Sequence, residues 1–339
     1  METYSYSTYR GVVDGVHFAQ LRLPPAAPNA AGDAPPCAVV VHLHGGFWKQ
    51  QWGVHNLETG ALFAAFGGAV DDVATWNVEY ARVDQLDPAT SAAGGGWPTT
   101  CLDALAALNA LTTLPAHLRS RLDLTRVYLC GHSAGAYLAL WLGCLSRLSA
   151  AQREQVAIQV DAVLGSGGPE AGAVARAGVD PAIHVRGVVS LAGVTSLAAC
   201  AAAGLSDFHD AAQNFLWRAG GSVASAIESG QLGAACPLSL WSTMLAAPAE
   251  ESTMTSTPPE AASSSRDGGG GGAGCDGSRS GDGVSGDGGW RGQGSRGPTS
   301  LRVLLVHGLA DTDVPASLSV ALAAAVWSTP SGGSRPAAG

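Results

Sequence analysis

Val127-Tyr128-Leu129-Cys130-Gly131-His132-Ser133-Ala134-Gly135-Ala136-Tyr137-Leu138 is the stretch on which the fold turns. Its first four residues read as a short β-branched and apolar strand, and those after Gly135 as an apolar helix. The pentapeptide from Gly131 to Gly135 therefore sits at a strand-to-helix turn. A Gly-x-Ser-x-Gly sequence there forces the serine into a strained backbone, and glycines two residues either side leave room for so sharp a bend. The hydroxyl is then presented at the strand tip, which makes Ser133 a candidate nucleophile. Glycine is abundant, 46 of 339 residues, so the pentapeptide alone is a weak signal and its companions must decide.

The strongest companion lies upstream. Cys37-Ala38-Val39-Val40-Val41-His42-Leu43 reads as a buried strand running into His44-Gly45-Gly46-Phe47-Trp48. Acyl transfer through a serine needs backbone N–H groups aimed at the oxygen that becomes negative, and glycines let the backbone approach closely. This assigns the oxyanion-binding N–H groups to Gly46 and Phe47, with that of Ala134 directly after the nucleophile. His44 reads as a hydrogen-bonder that fixes the loop rather than as a base. The third element is the strand Leu301-Arg302-Val303-Leu304-Leu305-Val306, leading to His307-Gly308-Leu309-Ala310-Asp311-Thr312-Asp313-Val314-Pro315. A carboxylate at that strand tip can fix the tautomer of a histidine and stabilise its imidazolium. Asp311 is the expected acid and Asp313 the alternative, because the spacing His-Gly-x-x-Asp-x-x-Val-Pro resembles the acid-bearing loop of many α/β-hydrolases. The competing reading of either is a capping residue for the helix that starts near Ser317.

In this order the three segments resemble the α/β-hydrolase superfamily. His44-Gly45-Gly46-Phe47-Trp48 is similar to the His-Gly-Gly-aromatic-Trp signature of kynurenine formamidases (arylformamidases) and related carboxylesterases. Trp76-Asn77-Val78-Glu79-Tyr80-Ala81-Arg82-Val83 and Gly94-Gly95-Gly96-Trp97-Pro98 resemble the next strand and loop of the same group. The resemblance spans residues 35 to 250 and 300 to 327. It implies an α/β fold with a mainly parallel sheet covered by helices on both faces. It also implies a small-molecule ester or formamide substrate, an acyl-enzyme on Ser133, and no metal or organic cofactor. Trp48 and Trp97, with Phe47, would line an aromatic mouth suited to an aryl leaving group; packing of the loops on each other is the equal alternative.

One part of that pattern is missing. The superfamily's triad runs Ser, Asp or Glu, then His after one more strand, yet the nine histidines (17, 42, 44, 55, 117, 132, 184, 209 and 307) all precede Asp311. The last strand, its histidine loop and the closing helix are expected to be absent. Three explanations are ranked in order: a truncated or misspliced version of an active enzyme, a non-catalytic small-molecule binder, and a base supplied from elsewhere, such as His209. As it stands the chain is expected to retain at most the acceleration of an oxyanion hole without its triad, on the order of 10³ to 10⁴ over water.

Composition narrows the rest. With 46% hydrophobic and 13% charged residues, the chain can bury one large α/β core. A net charge of -9 repels phosphate backbones, and Lys49 is the sole lysine, so nucleic-acid binding is not expected. Seven cysteines without a Cys-x-x-Cys pair read as buried thiols in a reducing compartment, and no secretory signal is visible, so the cytosol is the expected location. The uncharged windows Val127 to Ser146 and Gly187 to Ser206 read as strand, turn and helix rather than as bilayer spans.

Strands are expected near 38–43, 74–80, 127–130, 185–191 and 301–306, and helices near 57–66, 99–111, 134–148 and 317–327. The domain is expected to comprise residues 1–248 and 300–327, with a cap over the site at about 200–248. Within the cap, Asp207 to Ala219 and Pro237 to Leu245 read as helices whose Phe208, Phe215, Trp217 and Trp241 pack rather than bind. Residues 249–299 read as a disordered insertion and 328–339 as a disordered tail, since neither can bury enough apolar surface to order itself. No internal repeat stands out, and the oligomeric state is not set by these features.

Overall fold

The structure, a computed structural model, describes residues 1–24, 35–55, 73–83, 94–165, 169–206, 210–219, 222–246, 301–307, 314 and 316–327. The expected helix at 57–66, the acid candidates Asp311 and Asp313, His209, Phe208, and the segments 249–299 and 328–339 lie outside the described residues.

Seven strands form one sheet in the order β1-β2-β4-β3-β5-β6-β7. They are β1 (Glu2–Ser5), β2 (Phe18–Arg22), β3 (Cys37–Leu43), β4 (Val73–Val78), β5 (Leu122–His132), β6 (Val185–Leu191) and β7 (Arg302–Val306). β1 and β2 join antiparallel at one edge, while β4, β3, β5, β6 and β7 run parallel. The five expected strands are the parallel ones. The antiparallel pair escaped the sequence because Glu2–Ser5 is polar and mostly exposed, and Phe18–Arg22 mixes polar with apolar residues and is only partly buried.

β3 shows why the parallel part reads so clearly. It is flanked by strands on both sides and all but Val40 of its seven residues are buried, as expected of a strand covered on both faces. Its one polar residue, His42, meets β4 through Nδ1, 3.0 Å from Asn77 Oδ1, and Asn77 Nδ2 donates to Gln20 Oε1 of β2 at 3.2 Å. A polar rung thus crosses three strands inside an apolar sheet, its groups satisfied by one another. Burial drives the His42 ring down to about 4, against the opposing Asn77 hydrogen bond, with a smaller push from His44 and His132.

The helices that matter for the site are α1 (Thr99–Asn109), α2 (Ala134–Leu145), α3 (Ala150–Leu164), α4 (Pro169–Ala177), α5 (Ala211–Phe215), α6 (Pro237–Ala246) and α7 (Ser317–Trp327). Every residue of α2 is buried; a helix apolar all round belongs in a core. α3 opens with a complete capping box between Ser149 and Gln152, a helix that the sequence reading passed over along with α4. Among the described residues no helix is long and apolar enough to cross a membrane.

Candidate active site

Parallel strands all present the same end, so the tips of β5, β6 and β7 lie side by side, with His132 paired to Leu191 and Leu191 to Val306. The chain leaves each tip through a backbone hydrogen bond to its neighbour: Ser133 N–H donates to the Leu191 carbonyl at 2.8 Å and Ala192 N–H to the Val306 carbonyl at 2.8 Å. Ser133 is the hinge between β5 and α2, with φ 53° and ψ −117°. No L-residue with a side chain rests there without strain, which costs roughly 1–3 kcal/mol. The turn is held by what surrounds it. Ser133 C=O accepts the N–H groups of Tyr137 and Val194, at 3.2 and 3.3 Å. A Cβ on Gly131 would lie 2.3 Å from the Gly135 carbonyl oxygen, and one on Gly135 would lie 2.0 Å from the Leu43 carbonyl oxygen. The two flanking glycines are required by contact, and Gly135 is pressed against the end of β3.

The loop leaving β3 passes directly beside this turn. A Cβ built on Gly45 would lie 3.3 Å from Ser133 Cβ and 2.9 Å from His132 O. Gly45 is thus a close-approach glycine, a role the sequence reading gave to the loop as a whole and not to this residue. Gly46, Phe47 and Trp48 follow with φ of 103°, 50° and 59°. Two successive non-glycine residues in the left-handed region are costly, and the loop is locked by its neighbours. The Lys49 N–H closes onto the Gly46 carbonyl at 2.9 Å, and the Val83 N–H onto the Trp48 carbonyl at 2.8 Å.

Trp48 and Trp97 are both fully buried, so they do not form an open aromatic mouth. The Trp48 ring packs against Phe215 at 4.3 Å and edge-on to Tyr137 at 5.2 Å, and Trp97 meets Trp141 at 6.0 Å. These are the distances of packed aromatic pairs. Residues of the 210–219 segment pack onto them: Trp97 N–H donates to the Phe215 carbonyl at 2.7 Å, Trp217 Nε1 donates to the Gly95 carbonyl at 3.1 Å, and Lys49 Nζ stands 3.7 Å from Asp210 Oδ1. Phe215 and Trp241 are core residues, whereas Trp217 is 39% exposed and carries the Arg218 guanidinium over its ring. Ser133 is 5% exposed.

His44 is enclosed and stacks on Tyr80 at 4.2 Å. Its Nε2 lies 2.9 Å from Glu79 Oε1 and its Nδ1 2.8 Å from the Gly45 carbonyl oxygen. It holds the loop and does not touch the serine. Among the described residues, no histidine hydrogen-bonds the Ser133 hydroxyl. His307, at the tip of β7, places Nδ1 2.7 Å from Ser319 Oγ and Nε2 against the Val314 carbonyl. It links the tip of β7 to Val314 and Ser319, two strand spacings, about 10 Å, from the Ser133 turn. A groove of about 720 Å³ lined by Tyr4, Tyr9, Trp76, Asn109, Thr112 and Glu170 shares no residue with this site.

No protein-family model matches the chain, and neither does any curated protein. Solved structures do. A carboxylesterase from Lactobacillus plantarum superposes with a TM-score of 0.53 at 12% identity, over 97% of this chain and 78% of its own. A truncated carbohydrate esterase from gut microbiota gives 0.50 at 14% identity, over 97% and 84%. Esterase B from Lactobacillus rhamnosis gives 0.47 at 19% identity over 71% of this chain, which spans 62% of that protein's length. At these identities the likeness is one of fold, and the fold is that of the α/β-hydrolases.

Proposed function

We propose that the chain is a serine hydrolase of carboxylic esters or aryl formamides, working through an acyl-enzyme on Ser133. The observation that carries this reading is the Ser133 turn, strained at φ 53°, with Gly45 packed against its Cβ. In this reading Ser133 Oγ attacks the substrate carbonyl carbon, and the carbonyl oxygen takes the electron pair. The N–H groups of Gly46, Phe47 and Ala134 stabilise that charge. Collapse expels the alcohol or aryl amine, which takes a proton, and water then cleaves the acyl-serine. The usual histidine after the acid has no counterpart in this sequence, so in this reading the serine proton goes to a base supplied from elsewhere, such as His209, or turnover is impaired for want of one, and Asp311 is assigned the carboxylate that would orient such a base.

The formamide branch rests on the His44 to Trp48 resemblance, and the ester branch on the esterase likeness of the fold. An aryl group would meet Trp48 and Phe215 only where the cap gives way. The test compares p-nitrophenyl acetate with an N-formyl aryl amine, using wild-type protein and Ser133→Ala. Turnover of either substrate that Ser133→Ala abolishes supports the reading. Inertness to both, with saturable binding of an ester or formamide analogue, favours a binding protein instead.

A further inference from the structure

The peptide between Gly45 and Gly46 has a glycine on each side. With no Cβ on either residue, rotating the peptide plane meets little steric resistance, so the loop's own sequence does not decide which way its carbonyl and N–H point. Something outside the loop must. In a planar trans peptide the C=O and N–H point in opposite directions. The Gly45 carbonyl accepts a hydrogen bond from His44 Nδ1 at 2.8 Å, which turns the Gly46 N–H away from the His44 ring.

The His44 ring is itself fixed from behind. Its Nε2 lies 2.9 Å from Glu79 Oε1. A carbonyl oxygen can only accept, so Nδ1 is the ring nitrogen that donates to Gly45. Glu79 is 2% exposed and accepts twice more, from Val54 N–H at 3.0 Å and from its neighbour Tyr80 N–H at 3.2 Å. Arg82, 3.6 Å from the same carboxylate, donates through one nitrogen to the Gln50 and Trp52 carbonyls at 3.0 and 2.9 Å. Residues 44, 50, 52 and 54 of one loop are therefore gathered onto two charged residues at the exit of β4. Burial pushes the Glu79 carboxyl up, but its bond to His44, the positive charge of His44 and Arg82, and the Val54 N–H outweigh that and hold it below the ordinary carboxylate range.

We infer that Glu79 is a positioning residue for the proposed oxyanion site: through His44 it sets the orientation of the Gly45–Gly46 peptide, and with it the N–H groups aimed at the reacting oxygen. This rests on the hydrolase reading above. Glu79→Gln keeps the shape but offers an amide, which cannot accept from both His44 and Val54. His44→Gln keeps a donor toward Glu79 but loses the one toward Gly45.

Two measurements on folded wild type and variants separate the possibilities. For p-nitrophenyl acetate, each variant is expected to lose roughly 100-fold in kcat with KM within about three-fold, the signature of a lost oxyanion donor. The double variant should be no worse than either single one, because both break the same chain of contacts. In protein labelled with ¹⁵N-phenylalanine, which gives six resonances, the Phe47 amide, assigned by its loss in Phe47→Leu, should shift in both variants. A Phe47 amide unmoved by Glu79→Gln overturns the inference whether or not the protein is active. So do losses in the two variants that simply add, or a kcat that falls only as far as the folded fraction does. A moved Phe47 amide in a protein whose wild type is inert supports the clamp and sinks the hydrolase reading instead.

Discussion

Ser133 carries a hydroxyl on a backbone that serine does not choose. The strain at φ 53° is stored whether or not the hydroxyl is present, so Ser133→Ala is expected to keep the fold, with a denaturation midpoint within about 0.5 kcal/mol of wild type, while losing all reaction at this position. His42 makes a different prediction. Its ring is neutral when folded, since burial lowers it from 6.5 to about 4. Between those values the unfolded chain binds a proton that the folded one refuses, so stability rises with pH across this window. The contribution is complete above pH 6.5 and is lost as pH falls toward 4, by an amount on the order of 3 kcal/mol. Urea titrations at several pH values should show that slope in wild type and a flatter one in His42→Gln; equal slopes would remove His42 as its source.

At the scale of elements, the site is the meeting of two turns, one after β3 and one after β5, under a cap. Their fit is tight enough that Gly135→Ala should damage both at once. The new methyl would sit 2.0 Å from the Leu43 carbonyl oxygen and 2.3 Å from that of His44, and backbone cannot step aside as a flexible side chain can. Overpacking of this kind costs typically 1–3 kcal/mol or more. The variant should therefore lose stability in a thermal melt and lose Ser133 reactivity, whereas Ser133→Ala loses only the second. A Gly135→Ala protein as stable and as reactive as wild type would show that the turns are not in contact. The motifs at these turns were legible because glycine spacing encodes close backbone approach. The enclosure of Trp48 and Trp97 was not, because their partners Phe215, Tyr137 and Trp141 come from distant parts of the chain. Glu79 was passed over for a related reason: a lone acid in Asn77-Val78-Glu79-Tyr80 looks solvated until His44 is seen beside it.

For the whole molecule, the parallel strands announced themselves as apolar runs, and their alternation with helices was enough to fix an α/β sheet. The β1–β2 pair lacked that signal, being an edge whose outer face meets water. The opposite edge, β7, leaves Leu304 57% and Val306 48% exposed, an apolar edge of the kind that promotes association. Leu304→Lys is expected to leave stability nearly unchanged and to raise the concentration at which the protein stays monodisperse in light scattering; a large loss of stability would mean that Leu304 is packed after all. The central claim, that the β5–α2 turn and the β3 loop together make a reactive serine, is tested most directly by incubating the folded protein with a fluorophosphonate and measuring its intact mass. A single adduct that maps to Ser133, absent from Ser133→Ala and slowed in Glu79→Gln, is the predicted result. No adduct after prolonged incubation, or one on another residue, would contradict it.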